Sequence, residues 1–447
     1  MYVLNKFLGY DMNIIIIGAG GVGFNLAKKL SESHNVTIID KNSEALQKIE
    51  ESLDILAVKG DAEEINTYQK LMDKRFDLFI SVTNNDNVNI VSTLIADMIL
   101  DIERIFIRLK SHFYPNDLIK KKLNIEKIIF PIKLTSNSIV SMLENHRFNN
   151  VKNFECTPYK LVSVQVSKDV QPIKIVSEKF VIAGIERERN FFIPQKEDVI
   201  LPNDLVYIFG LESDIIPICE RLNSDVSASG KNCVISGGDR LGIDVAKQLI
   251  EMGKNVKIIE KNLSLCKIAN EELGGKASVI HTKYETSSLL QEEGIDKADI
   301  FISATHNDEY NIIKALEAKE RGIKKVISVL DDIEYYNLLH SLNILLARGI
   351  KMSAYNTIME HINSRTKVVQ KIFCGEKATI LMYKFFENSK FLNRDLKPIK
   401  TDTSILFYIK NNQLFPFVET TQFKESDIII LFANNKNLKE IEWIYGL

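Results

Sequence analysis

The chain has little cysteine, a single tryptophan, no long apolar run and almost no net charge, and each shortage excludes a class of protein. The five cysteines (Cys156, Cys219, Cys233, Cys266 and Cys374) are odd in number and never spaced as C-x-x-C. That scatter excludes a disulfide frame and a structural zinc site, and it suits a reduced cytoplasm. No stretch approaches the roughly 20 apolar residues that cross a bilayer. A formal net charge of −2 over 447 residues offers no field to attract nucleic acid. The seven histidines form no H-E-x-x-H or paired motif, the commonest mark of a zinc hydrolase. Residues 1–11 lack the basic start, apolar stretch and cleavage site of a signal peptide. Met12 stands directly before the first apolar strand, so 1–11 reads as a short N-terminal extension.

What is present is repetition. Residues 14–30 run IIIIGAGGVGFNLAKKL, and residues 233–249 run CVISGGDRLGIDVAKQL. VTIIDKN at 36–42 returns as VKIIEKN at 256–262, and FDLFISVTNNDNVNI at 76–90 as ADIFISATHNDEYNI at 298–312. The last pair keeps Thr83 with Thr305, Asp86 with Asp308 and Asn89 with Asn311. Each half alternates short β-branched strands with helices, the pattern of a parallel sheet with crossover helices. In the first half the strands are expected near 13–17, 36–39, 55–58, 78–82, 104–108 and 127–130. A β-rich stretch follows each α/β unit, and the two stretches also align, with Asp204 and Asp427 in equivalent places before the final strand. Length alone predicts about three domains, but the repeat fits four better.

The fold class is therefore α/β, with two tandem Rossmann-like parallel-sheet domains, each followed by a small α+β, β-rich domain. Their bounds are placed at 12–150, 151–226, 227–368 and 369–447. SDVSASGKN at 224–232 is the linker between the halves.

Gly18, Gly20 and Gly23 form G-x-G-x-x-G directly after a strand and at the mouth of a helix. The first glycine permits the tight turn, the second lets a pyrophosphate approach the backbone, and the third lets helix and strand pack closely. Free N–H groups at the helix start favour the phosphate charge. The candidate nucleotide site comprises Gly18, Ala19, Gly20, Gly21, Val22 and Gly23 of the turn, with Asp40 and Lys41 after the second strand. Asp40 is placed to accept hydrogen bonds from ribose hydroxyls, and it disfavours a 2′-phosphate. Gly60 and Asp61 follow the third strand, and Thr83, Asn84 and Asp86 follow the fourth. Arg108 interrupts the apolar IFIRL, where a cation needs an anion or acid to pair with. No catalytic residue and no metal ligand is assigned.

The second copy loses these features together. Asp239 replaces the middle glycine. Two charges about 4 Å apart at an effective dielectric near 20 interact by about 4 kcal/mol, on the order of a thousandfold in affinity. The Gly60-Asp61 place reads as Thr282-Lys283, and the Arg108 place as Ser328 in VISVL. The second half is thus expected to bind no dinucleotide tightly. A different ligand, or a cation attracted to Asp239 and Asp308, is the alternative.

GAGGVG at 18–23, IIDKN at 38–42, KGDAE at 59–63, TNNDNVN at 83–89 and IFIRL at 105–109, with their second-half counterparts, resemble the TrkA family. These are regulatory subunits of bacterial Trk-type potassium uptake systems, built from tandem RCK (KTN) domains. The resemblance covers nearly the whole chain from Met12. It implies a cytoplasmic protein, peripheral on the inner face of the membrane, that binds NAD(H), or alternatively ATP or ADP. It implies docking on a TrkH- or TrkG-like potassium transporter and assembly as a homotetramer. Gly18, Gly20, Gly23, Asp40, Asp61, Thr83 and Arg108 would then line the nucleotide pocket. Two rival readings stand beside it. An NAD-dependent oxidoreductase would need an acid–base group, for which His112 is the best candidate, and a substrate domain larger than the β-rich tails. A structural adaptor would ignore nucleotide.

Overall fold

The computed structural model describes residues 11–447 apart from 111–119, 145–147, 155, 175–176, 196, 224–229, 283–292, 333–334, 336–343, 364–367, 376, 388, 400–403, 436–443 and 445–447. Most of the candidate linker, Lys283 and His112 lie outside the described residues.

The first α/β domain runs β1 (Asn13–Ile17), α1 (Gly21–Leu30), β2 (Asn35–Asp40), α2 (Ser43–Glu50), β3 (Leu56–Lys59), β4 (Leu78–Ser81), α3 (Asp86–Ile99), β5 (Ile105–Arg108), β6 (Lys127–Ile129) and α4 (Pro131–Glu144). Its strands lie in the order β3-β2-β1-β4-β5-β6, and every pair is parallel. The four isoleucines of β1 divide by the two-residue period of a strand. Ile14 and Ile16 enter one core, with Leu26, Ala27 and Leu30 of α1. Ile15 and Ile17 enter the core on the opposite face, with Phe79, Ile105 and Ile107. Burial on both faces explains the unbroken apolar run. Each of the six strands expected here is present, with ends displaced by at most one residue.

A small antiparallel sheet follows, from β7 (Asn150–Phe154), β8 (Thr157–Gln165), β9 (Phe180–Arg187), β10 (Asn190–Phe192) and β11 (Leu205–Gly210), closed by α5 (Glu212–Leu222). Its order is β10-β9-β11-β8-β7.

The second α/β domain repeats the first: β12 (Asn232–Ser236), α6 (Arg240–Glu251), β13 (Asn255–Glu260), α7 (Leu263–Leu273), β14 (Ser278–His281), β15 (Ile300–Ser303), α8 (Asp308–Glu320), β16 (Lys325–Leu330), β17 (Leu345–Arg348) and α9 (Ile350–Asn363). Its order, β14-β13-β12-β15-β16-β17, is the same arrangement. The last sheet contains β18 (Val368–Phe373), β19 (Ala378–Lys384), β20 (Ser404–Lys410), β21 (Gln413–Pro416) and β22 (Ile428–Asn434). Its order β18-β19-β22-β20-β21 is that of the first small sheet read from the other edge. Asp204 and Asp427 do equivalent work, each carboxylate accepting from the backbone N–H three residues earlier, Leu201 at 2.7 Å and Lys424 at 2.8 Å.

Two compact units result, and they do not follow the repeat. The first ends at Ser136 and takes in Arg348–Ile362; the second holds Asn137–Ala347 and Asn363–Leu447. In the first unit, Ala354, Ile358 and Ile362 of α9, four residues apart on one helix face, join the core of Ile14 and Ile16. In the second unit the two small sheets share one core, where Tyr207 and Phe373 stand 5.1 Å apart between ring centres. No helix among the described residues is long and apolar enough to cross a membrane.

Candidate functional site

The strand order reverses between β1 and β4, and the candidate residues gather at the carboxyl ends of the strands around that point. This is where open parallel sheets place ligands. Gly18 has φ of +103°, a region that L side chains rarely enter, and its N–H donates to Ile39 O at 2.9 Å. A Cβ on Gly23 would lie 1.8 Å from the Gly18 carbonyl oxygen. Both glycines are thus required by the fold itself.

Gly20 is different. Its φ of −72° suits any residue, and a Cβ there would meet nothing within 4 Å. The protein alone gives no reason for glycine at this place. A group approaching the backbone from outside does. Gly20 is also the N-cap of α1, and no side chain caps the helix start. The first-turn N–H groups therefore lack the capping carboxylate or hydroxyl found at most helix starts. A pyrophosphate fits both features, the space and the uncapped donors.

The other candidates fall into two kinds. Asp40 is spent partly on the turn: Oδ2 accepts from Ala19 N at 2.6 Å and Oδ1 from Asn42 N at 2.8 Å. Each oxygen retains a further lone pair for a hydroxyl. Lys41 is exposed. Gly60 N donates to Asp40 O at 3.1 Å, and a Cβ on Gly60 would strike Thr67 Cγ2 at 2.5 Å, so packing alone accounts for that glycine. Asp61 is half-buried beside it and accepts from Glu63 N at 3.0 Å. Arg108 is 6% exposed, and its Nη1 donates to Asn84 Oδ1 at 3.1 Å. Asp86 is occupied structurally, with Lys110 N donating to both its oxygens at 2.9 and 3.1 Å.

Asn89 was not among the candidates, yet it holds the site together. Fully buried, its Oδ1 accepts from Ser81 Oγ at 3.0 Å, Thr83 N at 2.9 Å and Thr83 Oγ1 at 2.6 Å. Its Nδ2 donates to Thr83 O at 3.1 Å and Arg108 O at 2.8 Å. One amide thus ties the end of β4 to the end of β5. The signal in the sequence was its retention as Asn311.

In the second half this scaffold survives. Gly237 has φ of +117°, and a Cβ on Gly242 would lie 2.0 Å from the Gly237 oxygen. Glu260 accepts from Gly238 N at 2.6 Å and Asn262 N at 2.8 Å, the counterpart of the Asp40 arrangement. Asn311 bonds Ser303 Oγ, Thr305 N and Oγ1, Thr305 O and Val329 O, between 2.7 and 3.1 Å. The last bond corrects the sequence alignment. Asn89 donates to Arg108 O, and Asn311 donates to Val329 O. Val329, not Ser328, therefore takes the Arg108 place; the polar residue of VISVL misled the comparison.

Asp239 is the substantive change. Its Oδ1 accepts from Leu241 N at 3.0 Å and Gly242 N at 3.1 Å, and its Oδ2 lies 2.9 Å from His306 Nε2. The carboxylate does more than repel an anion, because it occupies the donors an anion would use. Burial raises the pKa of Asp308, whose carboxylate accepts from Asp331 N and Asp332 N. No group of three or more His, Cys, Asp or Glu suited to a metal ion is present among the described residues.

The model of the TrkA-N domain matches residues 14–131 and 233–347. Over 450 residues the chain is 26% identical to Trk system potassium uptake protein TrkA homolog 1 of Methanosarcina mazei, covering 96% of this chain and 99% of that one. It is also 26% identical to the TrkA homolog of Archaeoglobus fulgidus over 446 residues, with 97% and 100% covered. Among solved structures, the GsuK channel bound to NAD is 15% identical, with a TM-score of 0.60 over 98% of this chain and 79% of that one. The GsuK RCK domain gives 0.58 at 15% identity over 98% and 96%. The chain belongs to the TrkA-N domain family and carries that domain twice.

Proposed function

We propose that the chain is a regulatory subunit of a potassium uptake system, and that it binds one NAD(H) in the crevice of its first half. Gly20 carries this reading: nothing within 4 Å requires a glycine, and the helix it opens has no side-chain cap. Gly18 to Gly23 would hold the pyrophosphate, with Asp40 and Lys41 beside the adenosine ribose. Gly60, Asp61, Thr83, Asn84, Asp86 and Arg108 would form the remaining rim. The relatives named as Trk potassium uptake proteins support the regulatory role, and the GsuK channel bound to NAD supports the ligand. A GsuK structure bound to ADP supports adenine nucleotides as the second choice.

The subunit performs no chemistry in this reading. It docks as a homotetramer on the inner face of a membrane potassium transporter of the TrkH or TrkG kind. Nucleotide then shifts the partner between states only as far as it binds one ring shape more tightly than the other. Moving a two-state gate from mostly closed to mostly open takes about 5.5 kcal/mol, which four sites can supply jointly. Potassium flux through the co-purified transporter, with and without NADH, tests the role. The expected result is a nucleotide effect that Gly20→Val abolishes. An effect that survives this change contradicts the assigned site.

A further inference from the structure

A buried arginine and a half-buried lysine occupy equivalent places and hold equivalent helix ends. Arg104 stands directly before β5, and Lys325 opens β16. Arg104 Nη2 donates to the carbonyl of His361 at 2.9 Å, the twelfth of the 14 residues of α9. Lys325 Nζ donates to the carbonyl of Met142 at 2.6 Å, the twelfth of the 14 residues of α4. The first pair lies within the first compact unit and the second pair within the second. A carbonyl in the last turn has no helical donor, and a cation there also meets the negative end of the helix dipole. Each side chain is a latch on a helix end.

The latches differ in what supports them. Arg104 is 4% exposed, and its Nε and Nη2 also take both oxygens of Glu126 at 2.9 Å. Its guanidinium lies 4.9 Å from the centre of the Phe106 ring. Counted back from the helix starts at Pro131 and Ile350, the place of Glu126 is taken by Leu345. Among the described residues, the bond to Met142 is the one hydrogen bond of the Lys325 ammonium. Burial, and then the nearby Lys254 ammonium, hold Lys325 down to about 8. A bidentate carboxylate strengthens a cation's hold, and a lone buried ammonium retains its desolvation cost.

We propose that α4 is the releasable helix of the pair and α9 the fixed one, because among the described residues no carboxylate backs the Lys325 latch on Met142 as Glu126 backs the Arg104 latch on His361. α4 follows directly from β6, the last strand of the sheet that carries the first crevice. The chain thus leaves that sheet through the more weakly latched helix. This inference stands on the latches and holds whether or not the crevice takes a nucleotide.

Hydrogen exchange on the full-length protein tests it. Corrected for intrinsic rates, amides of 139–144 should open at least about tenfold more often than those of 358–363. The double variant Lys325→Arg with Leu345→Glu moves the ion pair of the first latch into the second. It should slow exchange at 139–144 by about tenfold and leave 358–363 unchanged. Equal protection of the two helix ends in the unaltered protein, or faster exchange in α9, overturns the proposal without any variant. Exchange at 139–144 unaltered in a folded double variant overturns it as well.

Discussion

The two halves share a scaffold and differ in what faces the helix start. Both keep the left-handed glycine, the glycine packed on its carbonyl, the acid that accepts two turn amides, and the buried asparagine with its five bonds. In the first half the helix start is uncapped and open at Gly20. In the second it is closed by Asp239, which His306 accompanies. The comparison separates residues that make the turn from the residue proposed to admit a ligand. G-x-G-x-x-G mixes the two kinds, and the duplicated copy sorts them.

The largest expected effect tests the shared part. Gly23→Val and Gly242→Val each force a side chain into a carbonyl oxygen that a Cβ would already approach to 1.8 or 2.0 Å. Each should destabilise its half by more than about 4 kcal/mol, the range of exceptional single mutations. Urea unfolding measures this, and a mild effect at Gly242 alone would show that the second scaffold is no longer built as the first.

The latches come next. Arg104→Met strands Glu126 and the His361 carbonyl, and should cost about 2–3 kcal/mol, below the full buried-pair penalty because Glu126 is partly exposed. Lys325→Met removes a half-buried ammonium that has no carboxylate partner among the described residues, and near pH 9 should change stability by less than about 1 kcal/mol in either direction. Equal losses on thermal unfolding would erase the asymmetry between the latches.

A smaller effect belongs to the cap. Asp239→Ala loses the two bonds to the start of α6 and should cost about 1 kcal/mol. Gly20→Ala, into open space at an ordinary φ, should leave stability within about 0.5 kcal/mol.

A pH dependence separates the two latches further. In the fold Lys325 titrates near 8, against 10.5 for the free side chain. Between these values the unfolded chain binds the extra proton, so the group's contribution to stability rises with pH across that window. The unaltered protein should gain on Lys325→Met as pH is raised from 8 to 10. A constant difference would place the ammonium in water.

Much of this was legible in advance. Runs such as IIII, stopped at once by glycines, read as strands buried on both faces, and the repeat supplied a second reading of the glycine turn, the second strand and the strand before Thr83. The crevice was legible because its residues sit at strand ends, where sequence position fixes spatial position. What depended on long-range packing was not. Arg104 was merely the first residue of the strand expected at 104–108, and nothing local tied it to a carbonyl 257 positions away. Asp239 read as a repulsive charge, although its aspartate is also a good helix cap, a local signal that was available. The Val329 correspondence needed the Asn311 bond, since no side-chain property links valine to arginine.

Calorimetric titration with NADH measures the difference between the halves most directly. One site per chain is predicted, weakened at least about a hundredfold, or 2.7 kcal/mol, by Gly20→Val at unchanged melting temperature. Two equivalent sites per chain, or a single site indifferent to Gly20→Val, would contradict the account.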